Sequence, residues 1–65
     1  MTKDSAIQAM KDGAKVTHRY FSRDEWMRME GDTIILEDGV KCSSAEFWKD
    51  RLDEFWEDDW SIFIG

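Results

Sequence analysis

The sequence predicts a small α+β domain in which a small antiparallel β-sheet carries one main amphipathic helix. Three observations favour this class: short alternating or β-branched segments, turn signals between them, and a long amphipathic segment near the C-terminus. The chain has 65 residues, a length typical of a single domain, here 1–65. We expect three to five strands, in the element order α-β-β-β-β-α-β.

The first twenty residues predict a short helix followed by a strand. Asp4 or Ser5 can cap the helix, and Gly13 is placed to end it. The strand is expected over residues 15–20, because Val and Thr favour extended backbone. One side of this strand carries Val16, His18 and Tyr20.

Residues 26–42 predict a three-stranded meander. Its strands are expected over 26–30, which includes Trp26, over 33–37 and over 40–42. Gly31-Asp32 predicts the first turn. Asp38-Gly39 predicts a two-residue hairpin turn, because glycine accepts the positive φ that such turns require.

Residues 44–57 predict the main helix, which a capping-box pattern at 43–46 would begin. At 100° per residue the acidic and apolar side chains separate onto opposite faces. The acidic stripe consists of Glu46, Asp50, Asp53, Glu54 and Glu57. The apolar stripe consists of Trp48, Leu52, Phe55 and Trp56. A closing strand over 60–64 would place Trp60, Ile62 and Ile64 on one face and Phe63 on the other.

Negative charge is concentrated in the last third of the chain. From Cys42 onward there are seven acidic and two basic residues, whereas residues 1–41 hold eight acidic and seven basic ones. Like-charge pairs four residues apart each destabilise a helix by about 0.2–0.5 kcal/mol. Two interpretations of the acidic stripe therefore stand side by side. It is either an ordinary solvated face, or a binding surface for a cationic partner that justifies this cost in stability. The predicted partner-binding residues are Asp50, Asp53, Glu54, Glu57, Asp58 and Asp59, with Trp56 as apolar anchor.

Composition argues against several other functions. A net charge of −6 disfavours direct binding to nucleic-acid phosphates or anionic membranes. The chain has one cysteine, Cys42, so it cannot form an internal disulfide. With His18 as the single histidine, we do not expect a structural zinc site. Cys42 is expected as a buried thiol on a strand. No catalytic set, phosphate loop or calcium loop is recognisable. We therefore expect neither an enzyme nor a bound metal or cofactor.

The start of the chain has no apolar segment typical of a signal peptide, and a lone thiol suits a reducing cytosol. A core this small favours dense aromatic packing or a homo-oligomer. The chain has four Trp, four Phe and one Tyr.

One other neighbourhood combines basic and aromatic residues. Arginine forks could hold a phosphate there, and a tryptophan could stack on a base. This second candidate ligand site consists of Arg19, Arg23, Trp26 and Arg28. The alternative interpretation of these residues is an ordinary charged strand surface without a ligand.

Several segments resemble short proteins of bacteriophages and prophages. They are the opening helix with the 13–18 segment, Trp26, the Glu37-Asp38-Gly39 turn and the closing 58–63 segment. The helix–Gly–Lys–Val opening and the acid-acid-Trp ending are also similar to the Thoeris anti-defence 2 family. That family consists of small phage α+β proteins that assemble and sequester nucleotide signals. The middle of the chain is shorter than in the family, and the helix after Ser44 stands where the family has pocket elements.

The resemblance implies a counter-defence protein in the cytosol of a bacterial host. Our leading hypothesis is a non-enzymatic, anti-CRISPR-like inhibitor. It would bind a basic, nucleic-acid-handling effector, such as a Cas nuclease or its RNA complex, through the acidic helix. The alternative is an oligomeric sponge that sequesters a nucleotide immune signal, for which Arg19 and Trp26 are the positional candidates.

Overall fold

The computed structural model describes residues 1–64 and shows a five-stranded antiparallel sheet with helices on one face. The elements are α1 (Lys3–Lys11), β1 (Val16–His18), β2 (Met27–Glu30), β3 (Thr33–Leu36), β4 (Lys41–Ser43), α2 (Ser44–Lys49), a 3-10 helix (Glu54–Trp56) and β5 (Trp60–Ile62). The strand order across the sheet is β4-β3-β2-β1-β5. The predicted α+β class and the predicted order of elements are confirmed.

Helix α1 begins earlier than the sequence pattern indicates. Thr2, in extended conformation, is the N-cap, and its hydroxyl oxygen accepts from the Ser5 N–H at 3.2 Å. The prediction of Asp4 or Ser5 as cap is wrong, because a threonine three residues before an available N–H serves equally well. Gly13 follows the end of the helix, as predicted; it has φ +97° and donates its N–H to the Met10 carbonyl. The buried side chains of α1 are Ala6 and Met10.

Strand β1 is shorter than expected. Val16 and His18 are buried on the helix-covered side, but Tyr20 is 59% exposed. The chain turns immediately after the strand, where the Phe21 N–H donates to the His18 carbonyl at 2.9 Å. Tyr20 therefore leaves the line of the strand and does not share the buried face.

The meander formed by β2, β3 and β4 agrees closely with the prediction. Met27 pairs with Leu36 and Met29 with Ile34, so that apolar side chains from both strands share the helix-covered face. Gly31-Asp32 forms the first turn. The second loop contains residues 37–39 and thus has three residues, not two. Its Gly39 has φ +88°, the left-handed conformation of three-residue hairpin loops.

Two residues in this region stand slightly apart from their predicted positions. Trp26 immediately precedes β2 and does not belong to it. Cys42 lies in β4 as expected, and its side chain is half-buried against the core.

The core lies between the sheet and the two helices. Its buried members are Ala6, Met10, Val16, Met27, Ile34, Phe47, Trp48 and Trp60. The rings of Trp48 and Trp60 meet edge to face with centroids 5.5 Å apart. Aromatic residues contribute large buried areas per side chain, which suits a chain of this length.

The predicted long helix over 44–57 is wrong. Ser43 caps α2 through its hydroxyl, as the capping box predicts, but α2 ends at Lys49 and Asp50 is its C-cap. The chain regains only one 3-10 turn, at Glu54–Trp56, before β5. Leu52, expected on the apolar stripe, is 76% exposed.

Side chains donate hydrogen bonds to backbone carbonyls that would accept from backbone N–H groups if the helix continued. The Arg51 N–H donates to the Trp48 carbonyl, three residues back, while the Arg51 guanidinium takes the Phe47 carbonyl, four residues back. Further along, His18 takes the carbonyls of Phe55 and Asp58. These tertiary bonds, together with repulsion between acids four residues apart, outweigh the helical pattern.

Strand β5 forms one edge of the sheet and ends at Ile62, two residues earlier than predicted. Trp60 is buried, but Ile62 and Ile64 are exposed, because the helices cover only the start of the strand. Phe63 is half-buried on the opposite face, with its ring centroid 6.2 Å from that of Trp26.

Candidate functional site

Residues 50–59 form an irregular acidic segment between α2 and β5. Its acidic residues are Asp50, Asp53, Glu54, Glu57, Asp58 and Asp59, and all of them are exposed. These are the carboxylates predicted for partner binding. They do not form a helical stripe, because the segment turns through a single 3-10 helix.

His18 is the main anchor of the acidic segment. It is only 3% exposed, and its Nε2 lies 2.8 Å from the Asp58 carbonyl oxygen and 3.1 Å from that of Phe55. The Tyr20 N–H donates to Nδ1 at 3.1 Å. A neutral imidazole with its hydrogen on Nε2 satisfies all three contacts. One side chain from β1 thus fixes the backbone at two points of the segment.

Two tryptophans provide a second anchor. The Trp60 indole N–H donates to the Trp56 carbonyl at 2.8 Å. The Trp56 ring packs against the His18 ring with centroids 4.5 Å apart. Trp56, predicted as an apolar anchor for a partner, is half-buried and makes its main contacts inside the protein.

Arg51 supports the segment from the side of α2. Its guanidinium lies 3.9 Å from the centroid of the Phe47 ring and 5.5 Å from that of Trp56. It also donates to the Phe47 carbonyl at 3.1 Å. This basic side chain is therefore engaged with aromatic rings and backbone, and it forms no ion pair with a carboxylate among residues 1–64.

The N-terminal residues flank the segment on its outer side. The Lys3 N–H donates to the Glu57 carbonyl at 2.8 Å, and the Trp60 N–H donates to the Met1 carbonyl at 3.1 Å. The Met1 amino group lies 3.7 Å from a carboxylate oxygen of Asp58. The segment is thus held from β1, from β5 and from the N-terminus.

Little of the negative charge is neutralised internally. Asp59 pairs with Arg19 at 3.9 Å, near the limit for an ion pair, and Asp58 has only the Met1 contact. The remaining four carboxylates of the segment have no cationic group within 4.0 Å in the described part of the chain.

The second candidate set does not form a single cluster. Arg19 lies beside Asp59, whereas Arg28 donates to Glu30 at 2.8 Å. Trp26 lies under the Lys15 ammonium, 4.4 Å from its ring centroid, and Arg23 is exposed in a turn. Over residues 1–64 the surface has no enclosed pocket.

The Arg28–Glu30 pair affects the ionisation of the Glu30 carboxyl. The hydrogen bond from Arg28, and then its positive charge, lowers the pKa of the Glu30 carboxyl below its ordinary value of 4.5. Both residues lie on β2, and Arg28 is thereby committed to an internal partner.

Sequence reasoning missed an exposed aromatic pair formed by Phe55 of the acidic segment and Tyr20. Tyr20 is 59% and Phe55 44% exposed, and their rings meet edge to face with centroids 5.4 Å apart. The available signal was His18: as a polar residue on the buried side of a strand it needs hydrogen-bond partners, and those partners include the backbones of both residues.

Among residues 1–64, no three histidine, cysteine or acidic side chains converge as metal ligands would. No helix in that range combines the length and apolar character needed to cross a bilayer. No family model, curated protein or solved structure that was compared with the chain matches it.

Proposed function

We propose that the protein is a non-enzymatic binding module whose acidic segment occupies a basic surface of a nucleic-acid-handling protein. The observation that supports this proposal is the combination of exposed, unneutralised carboxylates with a firmly anchored backbone at residues 50–59. In the phage setting that the sequence resemblance implies, such binding would inhibit an effector of bacterial defence.

Availability of the charge is the first argument. Asp50, Asp53, Glu54 and Glu57 have no internal cationic partner in the described residues. A carboxylate without an internal partner keeps its full attraction for an external cation. The segment can therefore offer several charges to one partner without breaking contacts of its own.

Preorganisation is the second argument. An ordered loop loses less conformational freedom on binding than a mobile one, and the saving appears as affinity. The acidic segment is irregular in conformation but is tied to β1 by His18, to β5 by Trp60 and to the N-terminal residues by the Glu57 carbonyl. The backbone that carries its carboxylates is thus held in a defined conformation.

Electrostatic complementarity is the third argument. RNA-guided effectors hold their nucleic acids in positively charged channels. A compact group of carboxylates can occupy such a channel, where it competes with phosphates. Long-range attraction would also accelerate association and make it sensitive to salt.

The test is inhibition of a panel of purified, guide-loaded CRISPR effectors, measured as DNA cleavage, with binding measured in parallel. We expect at least one effector to be inhibited. The double variant Asp53→Lys/Glu57→Lys should abolish that inhibition. The matched control is Asp24→Lys/Glu37→Lys, which makes the same charge change at two exposed positions in other turns and should inhibit like the parent.

Salt dependence provides an independent measurement. Between 0.05 and 0.5 M salt we expect the affinity to fall by about tenfold or more, because the screening length shortens from roughly 14 to 4 Å. Equal inhibition by the parent and the Asp53→Lys/Glu57→Lys variant would refute the role of the acidic segment. Mass spectrometry of the purified protein tests the alternative: a bound nucleotide without any inhibited effector would favour the sponge and direct attention to Arg19 and Trp26.

A further inference from the structure

Phe55 of the acidic segment and Tyr20, which follows β1, form an exposed aromatic patch, the Tyr20–Phe55 patch. The two rings meet edge to face outside the core, and both are more than two-fifths exposed. Leu52, on the same connection from α2, is also exposed. Aromatic residues grouped at a surface among charged residues are typical of the centre of a protein–protein interface.

One buried side chain is hydrogen-bonded to the backbones of both residues. The His18 Nδ1 accepts the Tyr20 N–H, and its Nε2 donates to the Phe55 carbonyl, each at 3.1 Å. The two residues are 35 positions apart in the sequence, yet their backbones are bonded to the same imidazole. The fold therefore places the two residues side by side, and their rings meet there.

The surroundings of the patch are acidic. Asp53 and Glu54 directly precede Phe55 in the chain, and neither has an internal cationic partner in the described residues. Asp59 lies near the Tyr20 side of the patch, because Arg19 contacts both residues. This combination suits a cation with a flat, apolar face.

Arg19 lies at the margin of this patch, within the outer limits of a ring contact and of an ion pair. Its central carbon lies 5.9 Å from the centroid of the Tyr20 ring, while one of its nitrogens lies 3.9 Å from the Asp59 carboxylate. A guanidinium can stack on a ring and reach a carboxylate at the same time, whereas an ammonium is more strongly hydrated and has no planar face.

From these observations we propose that the Tyr20–Phe55 patch receives an arginine side chain of the partner and distinguishes it from lysine. This inference rests on the proposed function, since it names the side chain that the basic partner contributes. It also replaces Trp56 by Phe55 and Tyr20 as the aromatic centre of the interface, because Trp56 is packed inward against His18.

The test compares fluorescently labelled octa-arginine and octa-lysine peptides, which have equal length and equal charge. Binding anisotropy is measured at 0.15 M salt. We expect the parent to bind the arginine peptide about fivefold to tenfold more tightly, consistent with one or two guanidinium–ring contacts.

The Tyr20→Ala/Phe55→Ala variant should reduce the ratio of the two affinities to about one, because it removes the guanidinium–ring contacts that produce the preference for arginine. Phe55→Leu retains the apolar volume without a π-face, so it should lower the ratio while the near-ultraviolet circular dichroism stays that of a folded protein. Ile62→Ala, which removes an exposed apolar side chain from β5, is the control and should retain the parental ratio.

The outcomes separate the two proposals. Charge-dependent binding with equal affinity for both peptides would overturn arginine selection and leave the acidic surface in place. Failure of both peptides to bind would refute the acidic surface itself. If the patch instead mediates concentration-dependent self-association of the chain, which sedimentation would detect and the Tyr20→Ala/Phe55→Ala variant would abolish, the assigned occupant is wrong.

Discussion

The meander of β2, β3 and β4 and the acidic segment at 50–59 differ in what holds their backbones. In the meander, neighbouring strands bond to one another along a regular ladder, from Met27–Leu36 to Ile35–Lys41. In the acidic segment, side chains from elsewhere hold individual carbonyls, chiefly His18 and Trp60. In the ladder, many equivalent backbone hydrogen bonds stabilise the strands together. The conformation of the acidic segment depends on hydrogen bonds from a few particular side chains.

The largest expected effect comes from the meander. Ile34→Ala removes a fully buried side chain on β3 and should lower the free energy of unfolding by about 2–5 kcal/mol. Because the loss lies in the common core, amide exchange should accelerate throughout the sheet together. Urea unfolding and exchange measured by NMR provide the check; a loss below 1 kcal/mol would show that the core tolerates the cavity.

An intermediate effect is expected where the acidic segment is anchored. His18→Phe keeps a ring in the aromatic cluster but removes the bonds to Phe55 and Asp58, and should cost about 1–3 kcal/mol. We expect exchange to accelerate first at residues 55–59, while β3 amides remain protected. Ile34→Val is the control, since it weakens the core by about 0.5–1.5 kcal/mol without touching the segment. Uniform acceleration in both variants would contradict the comparison.

A smaller effect is expected at Asp59, the last residue before β5. It has φ +71°, and its N–H donates to the Asp58 carboxylate at 2.8 Å. Aspartate and asparagine tolerate this conformation better than branched residues. Asp59→Val should therefore cost about 1–2 kcal/mol, and Asp59→Asn should remain close to the parent in a thermal melt. Equal stability of the two variants would argue against backbone strain at this position.

The smallest effect concerns the exposed pair on β2. Arg28→Gln should raise the pKa of Glu30 towards its ordinary value, because Arg28 supplies the main cause of the lowering. The folded pKa is depressed, so the contribution of the pair is present above the ordinary value of 4.5 and is lost as pH falls through the folded pKa. An NMR titration of the Glu30 side chain checks this; an unchanged pKa in the variant would exclude Arg28 as the cause.

The same comparison explains what the sequence could predict. Alternation and glycine-containing turns are local signals, and they predicted the meander and the order of its strands. The amphipathic pattern after Ser44 was equally regular but predicted a helix over 44–57, whereas α2 ends at Lys49. At the end of α2 the Arg51 guanidinium bonds to the Phe47 carbonyl. Further along, His18 bonds to the carbonyls of Phe55 and Asp58 from more than 35 residues away in the sequence, and no local pattern encodes those bonds.

The candidate site was predictable only in part. Its carboxylates were identified from charge alone, because exposed acids need no tertiary partner to be recognised. The inward packing of Trp56 and the outward position of Phe55 were not predicted. On a helix these neighbouring residues would have shared the apolar stripe, but the 3-10 turn and the bond to His18 orient them differently.

The contact between the N-terminal residues and β5 has a further consequence for behaviour at high concentration. An edge strand presents unpaired backbone groups that can template aggregation. The pairing of Lys15 with Phe63 and of Arg19 with Asp59 turns the N–H and C=O of Trp60 and Ile62 away from β1. The Trp60 N–H donates to the Met1 carbonyl, and the Met1 amino group donates to the Trp60 carbonyl. The part of the β5 edge that is open to a neighbouring molecule is therefore short. The N-terminal residues therefore reduce the length of the β5 edge through which two molecules could pair.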